Sequence, residues 1–166
     1  MVGLMLRSHR KSEIPVVAGG HYAIVASLYN TEYVDGMVNA AQAVLETAKP
    51  SAVEIVRVPG SFEIPMAAAA LARRKTRRPD AILCLGVIWQ GATNHADQIG
   101  GAVTRALMDL AMETGIPVIH EVLTVKNARQ AKERTLDPET NRGAEAASTA
   151  IDMVAVLRGI RKPVRR

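Results

Sequence analysis

The sequence predicts an α/β fold: a three-layer sandwich in which a four-stranded, mainly parallel sheet is flanked by helices on both faces. Apolar stretches of strand length alternate along the 166 residues with longer segments whose apolar side chains recur at the helical period. Proline or glycine marks several junctions, where one element must end before the next begins. This alternation is typical of βαβ units, which set parallel strands side by side and cover them with helices.

In the first half of the chain, the sequence pattern predicts four elements in the order strand, helix, strand, helix. They are expected over residues 22–28, 32–48, 53–58 and 66–72. Lys49-Pro50 ends the first helix, because a residue before proline is pushed out of the helical conformation. Pro59-Gly60 turns the chain after the second strand, and Ser61 is expected to cap the alanine-rich helix that follows.

In the second half of the chain, the sequence pattern predicts five elements in the order strand, helix, strand, helix, helix. They are expected over residues 81–87, 97–114, 117–124, 127–134 and 144–158. Gly115 and Pro117 end the long helix, and Asp137-Pro138 separates the last two. Four parallel strands with helices on both faces make a flavodoxin-like arrangement.

One domain is expected over residues 21–159, with a flexible segment at 1–20 and a basic tail at 160–166. The apolar runs are shorter than the roughly 20 residues that a membrane span requires. The first basic residues, Arg7 and Arg10, follow the apolar start, whereas a secretory signal has the opposite order. A cytoplasmic protein without a membrane partner is therefore predicted.

The net charge of +5 raises the question of nucleic acid. Of the 21 lysines and arginines, five lie in residues 73–78, after a helix, and five in residues 158–166, at the end of the chain. Aromatic residues, on which bases would stack, are not interleaved with them. Solvated charge is the favoured interpretation, with RNA association left as an alternative.

The residues just beyond the predicted strands are the candidates for a ligand site, because open α/β sheets bind ligands past the carboxyl ends of their strands. Tyr29-Asn30 follows the first strand, and Phe62-Glu63 lies in the turn after the second. The chain has five aromatic residues, and two of them stand here beside hydrogen-bonding side chains. A planar heterocycle would fit this combination, although ordinary packing is the alternative for each ring.

After the third strand, Gly91, Ala92 and Thr93 lead into a helix. A helix amino terminus offers unpaired N–H groups and a positive dipole to a phosphate, although a simple cap at Thr93 or Asn94 explains the same residues. His95 could carry protons near neutral pH, or be structural. Arg134 and Arg142 flank the loop 135–141, and could bind an anion or be surface charge.

No metal site is predicted. The four histidines show no short ligand spacing, and Cys84 is the single cysteine. Cys84 lies inside an apolar run, which favours a buried thiol and excludes an internal disulfide.

Taken together, the motifs resemble the 6,7-dimethyl-8-ribityllumazine synthase family, which acts in riboflavin biosynthesis. The resemblance covers residues 21–158. Its most specific parts, in chain order, are VPGSFEIP at 58–65, GATNHAD at 91–97, ETGIPVI at 113–119, VLT at 122–124 and NRGAEAA at 141–147.

The resemblance implies a transferase that condenses 5-amino-6-(D-ribitylamino)uracil with L-3,4-dihydroxy-2-butanone 4-phosphate, losing phosphate and water, with no metal or organic cofactor. It implies a homopentamer, or a multiple of pentamers, with active sites between subunits, and a functional link to riboflavin synthase. His120 and Arg134 would reach into a neighbouring subunit's pocket.

The resemblance also assigns roles to residues. Those implied to bind the pyrimidine and ribityl chain are Tyr29, Asn30, Ser61, Phe62, Glu63, Val87, Ile88, Trp89 and His120. Those implied to bind phosphate are Gly91, Ala92, Thr93, Arg134 and Arg142, and His95 is the implied catalytic residue for proton transfer.

Three positions depart from the family pattern. Gln90 stands where Arg or Lys is usual, His120 where an aromatic residue or Asn is common, and Arg142 where Lys is usual. Residues 136–139 replace the usual glycine and lysine of that loop, which leaves the size of the assembly open. The alternative function is a non-catalytic shell-forming or flavin- or lumazine-binding protein of the same fold.

Overall fold

A computed structural model describes residues 18–161 and contains one four-stranded parallel sheet with strand order β2-β1-β3-β4. The elements in chain order are β1 His21–Ser27, α1 Thr31–Glu46, β2 Ala52–Val58, a 3₁₀ turn Ser61–Glu63, α2 Ile64–Ala72, β3 Ala81–Trp89, α3 His95–Thr114, β4 Val118–Val125, α4 Ala128–Thr135 and α5 Arg142–Arg161. The predicted three-layer α/β fold is confirmed, and the strand order is that of a doubly wound, flavodoxin-like sheet. The predicted terminal segments lie mostly outside the described residues.

Two apolar cores lie on opposite faces of the sheet. Alternate residues of a strand point to opposite faces, so β1 sends Ile24 to one core and Val25 to the other. The first core joins the sheet to α1 and α5, and the second joins it to α2 and α3. Cys84 of β3 is fully buried in the second core, and this burial raises the pKa of its thiol, which suits an inert packing residue.

Several element boundaries differ from the prediction for identifiable reasons. β3 continues to Trp89, because its pairing with β4 extends to Val125 and the N–H of Gln90 donates to the Val125 carbonyl at 2.8 Å. Ser61 is not a helix cap: Gly60 precedes the 3₁₀ turn, and Ser61 is its buried first residue. Its hydroxyl packs where a Cβ of Gly86 would fall, so it serves contact between the turn and β3.

Helix α1 lies close to α5 and to the end of α4, and both contacts depend on the absence of a side chain at a glycine. A Cβ on Gly143 of α5 would overlap the Met37 carbonyl group of α1, and one on Gly36 would fall 2.5 Å from the Thr135 carbonyl oxygen. Between them, buried Asn141 donates to the Thr135 carbonyl at 2.6 Å and accepts from the Gly143 N–H at 2.8 Å. This explains why α5 begins at Arg142, two residues before the predicted start.

The basic run at residues 73–78 is largely engaged in the fold. Arg73 pairs with Glu113 of α3, and Arg74 pairs with Glu54 of β2 at 2.7 Å. Arg78 donates to the carbonyl groups of Ala72 and Thr114. These partners hold three of the five cations of the run within the fold, which disfavours the RNA alternative. No helix within residues 18–161 has the length and apolar composition needed to cross a bilayer.

Candidate active site at the carboxyl ends of the strands

Three aromatic side chains are exposed at the carboxyl end of the sheet. Tyr29, after β1, is 70% exposed; Phe62, in the turn after β2, is 61% exposed; and Trp89, the last residue of β3, is 38% exposed. β1 lies between β2 and β3, so these strand ends are neighbours. Rings that pack into a core lose this exposure, and the structure therefore disfavours the packing alternative for Tyr29 and Phe62.

Asn30 joins the ends of β1 and β3. Its Nδ2 donates to the Val87 carbonyl at 2.8 Å, and its Oδ1 accepts from the Trp89 indole N–H at 2.7 Å. Its backbone is left-handed, with φ 61° and ψ 42°, a conformation that asparagine tolerates better than most residues. The indole also packs edge-on against Tyr33 of α1, with the ring centroids 5.8 Å apart.

The turn after β2 adds a carboxylate beside Tyr29. A Cβ on Gly60 would fall 2.9 Å from a carboxylate oxygen of Glu63 and 3.1 Å from the ring of Tyr29, so both side chains border the bare backbone of Gly60. The turn therefore offers a ring and an acceptor side by side, while Ser61 is mostly buried beneath them.

The loop between β3 and α3 is exposed from Gly91 to His95. Asn94 holds the N-cap position of α3, but within the described chain its side chain makes no capping hydrogen bond. The His95 N–H reaches the Thr93 hydroxyl oxygen at 3.5 Å, the outer limit of a hydrogen bond. The simple-cap alternative thus loses support for Asn94 and retains only a long contact for Thr93, and within the described chain no other side chain accepts from an N–H of the first turn of α3.

His120 lies elsewhere, in the first half of β4 on the face covered by α3. Its Nδ1 accepts from the Val122 N–H at 3.3 Å, so the neutral ring carries its hydrogen on Nε2, which lies 2.8 Å from the Thr104 hydroxyl oxygen. Thr104 in turn donates to the Gly100 carbonyl at 2.7 Å. Loss of solvent lowers the pKa of His120, which keeps the ring uncharged near neutral pH.

Arg134 and Arg142 lie on the other side of β4, near Glu121. Burial raises the pKa of Glu121 to about 7, and the positive charges of both arginines act against that rise. Arg142 pairs with Glu145 one turn along α5, at 2.5 Å. Arg134 is exposed near the end of α4. Arg142 is therefore partly neutralised within the chain, whereas Arg134 offers its guanidinium to solvent.

The candidate residues thus fall into two groups within one chain. The first group surrounds the carboxyl ends of β1, β2 and β3 and runs from Tyr29 to His95. The second group consists of His120, Arg134 and Arg142 and lies beside the first half of β4. His120 is five residues, or about 17 Å, before the end of the strand. The two arginines lie near Glu121, which is about 13 Å before that end. One chain does not bring the two groups together.

Two polar residues near the second group were not singled out by the sequence. Glu121 was visible as a carboxylate within an otherwise apolar strand, and Thr104 as a hydroxyl on the polar side of α3. Neither signal predicts function by itself, because the perturbed pKa of Glu121 and the Thr104–His120 contact follow from tertiary packing.

The fold defines a class: this is a doubly wound α/β protein, and such sheets bind ligands beyond the carboxyl ends of their parallel strands. Residues 19–158 match the sequence model of a family described as 6,7-dimethyl-8-ribityllumazine synthase. A curated relative from Kineococcus radiotolerans, described as 6,7-dimethyl-8-ribityllumazine synthase, is 40% identical over 151 residues, which cover 89% of this chain and 92% of the relative. The chain belongs to the 6,7-dimethyl-8-ribityllumazine synthase family, as its motifs predicted.

Proposed function

We propose that this chain is a transferase of riboflavin biosynthesis that condenses 5-amino-6-(D-ribitylamino)uracil with L-3,4-dihydroxy-2-butanone 4-phosphate to 6,7-dimethyl-8-ribityllumazine. Family membership supports this reaction. The observation that carries it to particular residues is the amino terminus of α3, where Asn94 makes no capping bond in the described chain and His95 is the first helical residue, at the same end of the sheet as three exposed aromatic side chains.

The phosphate of the ketone substrate binds at the start of α3 in this proposal. Gly91, Ala92 and Thr93 are small, and a Cβ on Gly91 would meet nothing within 4 Å, so the loop leaves room for an anion. The first N–H groups of α3 and the helix dipole would hold the phosphate and stabilise its charge as it leaves.

His95 transfers protons in the same proposal. The ketone carbonyl must meet the ring amine, lose water to form an imine, lose phosphate, and close the second ring with loss of another water, and each step moves a proton. His95 is exposed in the first turn of the phosphate-binding helix, within reach of a substrate held there. A well-oriented general acid or base contributes about 10²-fold to 10⁴-fold in rate.

The pyrimidine and its ribityl chain bind against the aromatic side chains of the other strand ends. Tyr29 supplies the stacking ring, and Phe62 and Glu63 border the ribityl chain, with Ser61 behind them. The main chain at Val87, Ile88 and Trp89 reads the edge of the pyrimidine, although the Val87 carbonyl already accepts a hydrogen bond from Asn30.

The active site lies between subunits of a homopentamer, or of an assembly of pentamers. The separation of His120 and Arg134 from the remaining candidates supports this, because a neighbouring copy could present its β4 edge to the first group. A groove of about 580 Å³ between α2 and α3 supports close packing of copies. Its lining combines small and apolar side chains with three charged ones: Pro65, Met66, Ala69, Ala70, Ala106 and Leu110, and Arg73, Asp109 and Glu113.

We expect native mass measurement to give five subunits or a multiple of five. Ala69→Asp puts an unpaired charge beside the small apolar side chains of the groove between α2 and α3, so it should release smaller species. Ala43→Asp, at an exposed position of α1 on the other face of the sheet, is the control. A monomer at micromolar concentration would contradict the shared-site proposal.

The test of the reaction is steady-state formation of the fluorescent lumazine from both substrates. Product formation with release of one phosphate per lumazine supports the proposal. Tight binding of substrate or product without turnover would instead support the non-catalytic binding protein. We also propose that the catalytic domain spans residues 21–159 and acts in the cytoplasm with a functional link to riboflavin synthase.

Arg134→Ala should raise the KM for the phosphorylated ketone by about tenfold to a hundredfold, the loss expected for one charge-assisted phosphate contact. The KM for the pyrimidine should change little. Arg129→Ala, an exposed arginine earlier in α4, is the matched control. An equal loss for both substrates would mean that Arg134 supports the assembly rather than the phosphate.

A further inference from the structure

The side-chain amide of Asn30 forms hydrogen bonds with distant residues of β3 rather than with the helix that it precedes. Asn30 holds the N-cap position of α1, where asparagine commonly bonds to the first turn, yet within the described chain its side chain does not cap the helix. It reaches across to β3 instead, 57 residues away at Val87 and 59 at Trp89. Asn30 thus forms two hydrogen bonds to β3 in place of a favourable capping bond, which indicates that its role lies at the end of β3.

The two bonds determine which way the amide points. The Val87 carbonyl can only accept and the Trp89 indole N–H can only donate, so Nδ2 must face Val87 and Oδ1 must face Trp89. The position also requires a left-handed backbone, with φ 61°. Glycine and aspartate adopt this backbone readily, but neither supplies both a donor and an acceptor. Asparagine meets all three requirements.

Of the two partners of Asn30, Trp89 is the one whose side chain the contact holds in place, and it is the single tryptophan of the chain. Its N–H is held by Asn30 and its ring packs edge-on against Tyr33, so two residues of the α1 region fix the indole. Trp89 as a whole residue is 38% exposed, and it lies at the same end of the sheet as Tyr29 and Phe62. A flat ring held in this way can stack on a ligand with little loss of side-chain entropy.

We propose that Asn30 is a positioning residue for Trp89, and that the indole of Trp89 is a specificity-determining surface for the pyrimidine ring. The inference rests on the proposed function for the identity of that ring. At the end of β3, where the proposed function uses only the main chain to recognise the pyrimidine, it adds a role for the side chain of Trp89. Asn30 then acts through Trp89 rather than on the substrate.

Asn30→Gly and Asn30→Asp separate the parts of the contact. Asn30→Gly keeps the left-handed backbone and removes both bonds, while Asn30→Asp keeps the acceptor for the indole N–H and loses the donor to Val87. Asn39→Asp, an exposed asparagine of α1, controls for the added charge. Circular dichroism checks folding, and if Asn30→Gly fails to fold, Asn30→Asp and Trp89→Phe carry the comparison.

Acrylamide quenching of Trp89 fluorescence reads the indole directly, in protein without substrate. Asn30→Gly should make the indole more accessible to quencher, and Asn30→Asp should lie between it and wild type. In turnover, Asn30→Gly should raise the KM for the pyrimidine by about tenfold, the value of one aromatic contact, and leave the KM for the ketone phosphate within about twofold. In a Trp89→Phe background the same change should add less than about twofold.

Two results would overturn the inference. Unchanged quenching in Asn30→Gly would show that Asn30 does not hold the indole. A tenfold rise in KM that persists with Trp89→Phe would show that Asn30 touches the substrate itself. The quenching measurement needs no turnover, so a protein that makes no lumazine would defeat the proposed function while the Asn30–Trp89 contact was still tested.

Discussion

Gly143→Ala is expected to unfold the protein or to lower its stability by about 3 kcal/mol or more. The added methyl group would overlap the Met37 carbonyl group, and both groups belong to helix backbones that cannot rotate away. Relief requires α5 to move from α1, which would also break the bonds that Asn141 makes to the Thr135 carbonyl and the Gly143 N–H. Those bonds are buried, so their loss adds to the cost.

Chemical denaturation followed by circular dichroism measures the effect of Gly143→Ala. Gly159→Ala is the control on the same helix, because a Cβ there would meet nothing within 4 Å. Alanine favours a helix over glycine, so the control should be neutral or stabilised by up to about 1 kcal/mol. Equal denaturation midpoints for the two variants would contradict the close contact between α1 and α5.

The motif at residues 141–147 therefore has a structural explanation for two of its positions. Asn141 organises the start of α5, and Gly143 permits the approach of α1. From the sequence, the motif carried a family resemblance and a candidate anion contact at Arg142. The structure adds that Arg142 pairs with Glu145 of the same motif. At Asn141 and Gly143, the residues that carry the family resemblance are therefore residues that build the fold.

The fold was predictable because its signals are local. Alternating apolar stretches and proline or glycine at the junctions gave all four strands and the main helices to within a few residues. The errors occur where tertiary contact overrides local preference. Ser61 has a good capping side chain, but the bare backbone of Gly86 lets it pack against β3 instead.

The candidate site was predictable in part, for a geometric reason. Parallel strands bring their carboxyl ends to one edge, so Tyr29, Phe62 and His95 could be grouped from their positions after apolar runs. The hydrogen bonds of Asn30 and the hydroxyl partner of His120 could not be grouped in this way. They join positions far apart in sequence, and no pattern of spacing encodes them.

His95→Ala is expected to lower kcat by about 10²-fold to 10³-fold and to leave the KM of either substrate within about threefold. The phosphate is proposed to bind main-chain N–H groups of α3, and the pyrimidine to bind the aromatic strand ends, so neither contact needs the imidazole. The barrier would rise because a proton must then pass through water in place of a fixed donor. Steady-state kinetics on purified protein, with lumazine fluorescence as the signal, measures both constants.

His95→Gln and Asn94→Ala complete that experiment. His95→Gln keeps a polar side chain of similar reach but cannot exchange a proton near neutral pH, so it should be nearly as slow as His95→Ala. Asn94→Ala alters an exposed neighbour whose side chain makes no cap bond to α3 in the described chain, so kcat should stay within about threefold. Wild-type kcat in His95→Ala would remove the proton-transfer role. Equal losses in His95→Ala and Asn94→Ala would mean that the loop's shape, rather than the imidazole, sets the rate.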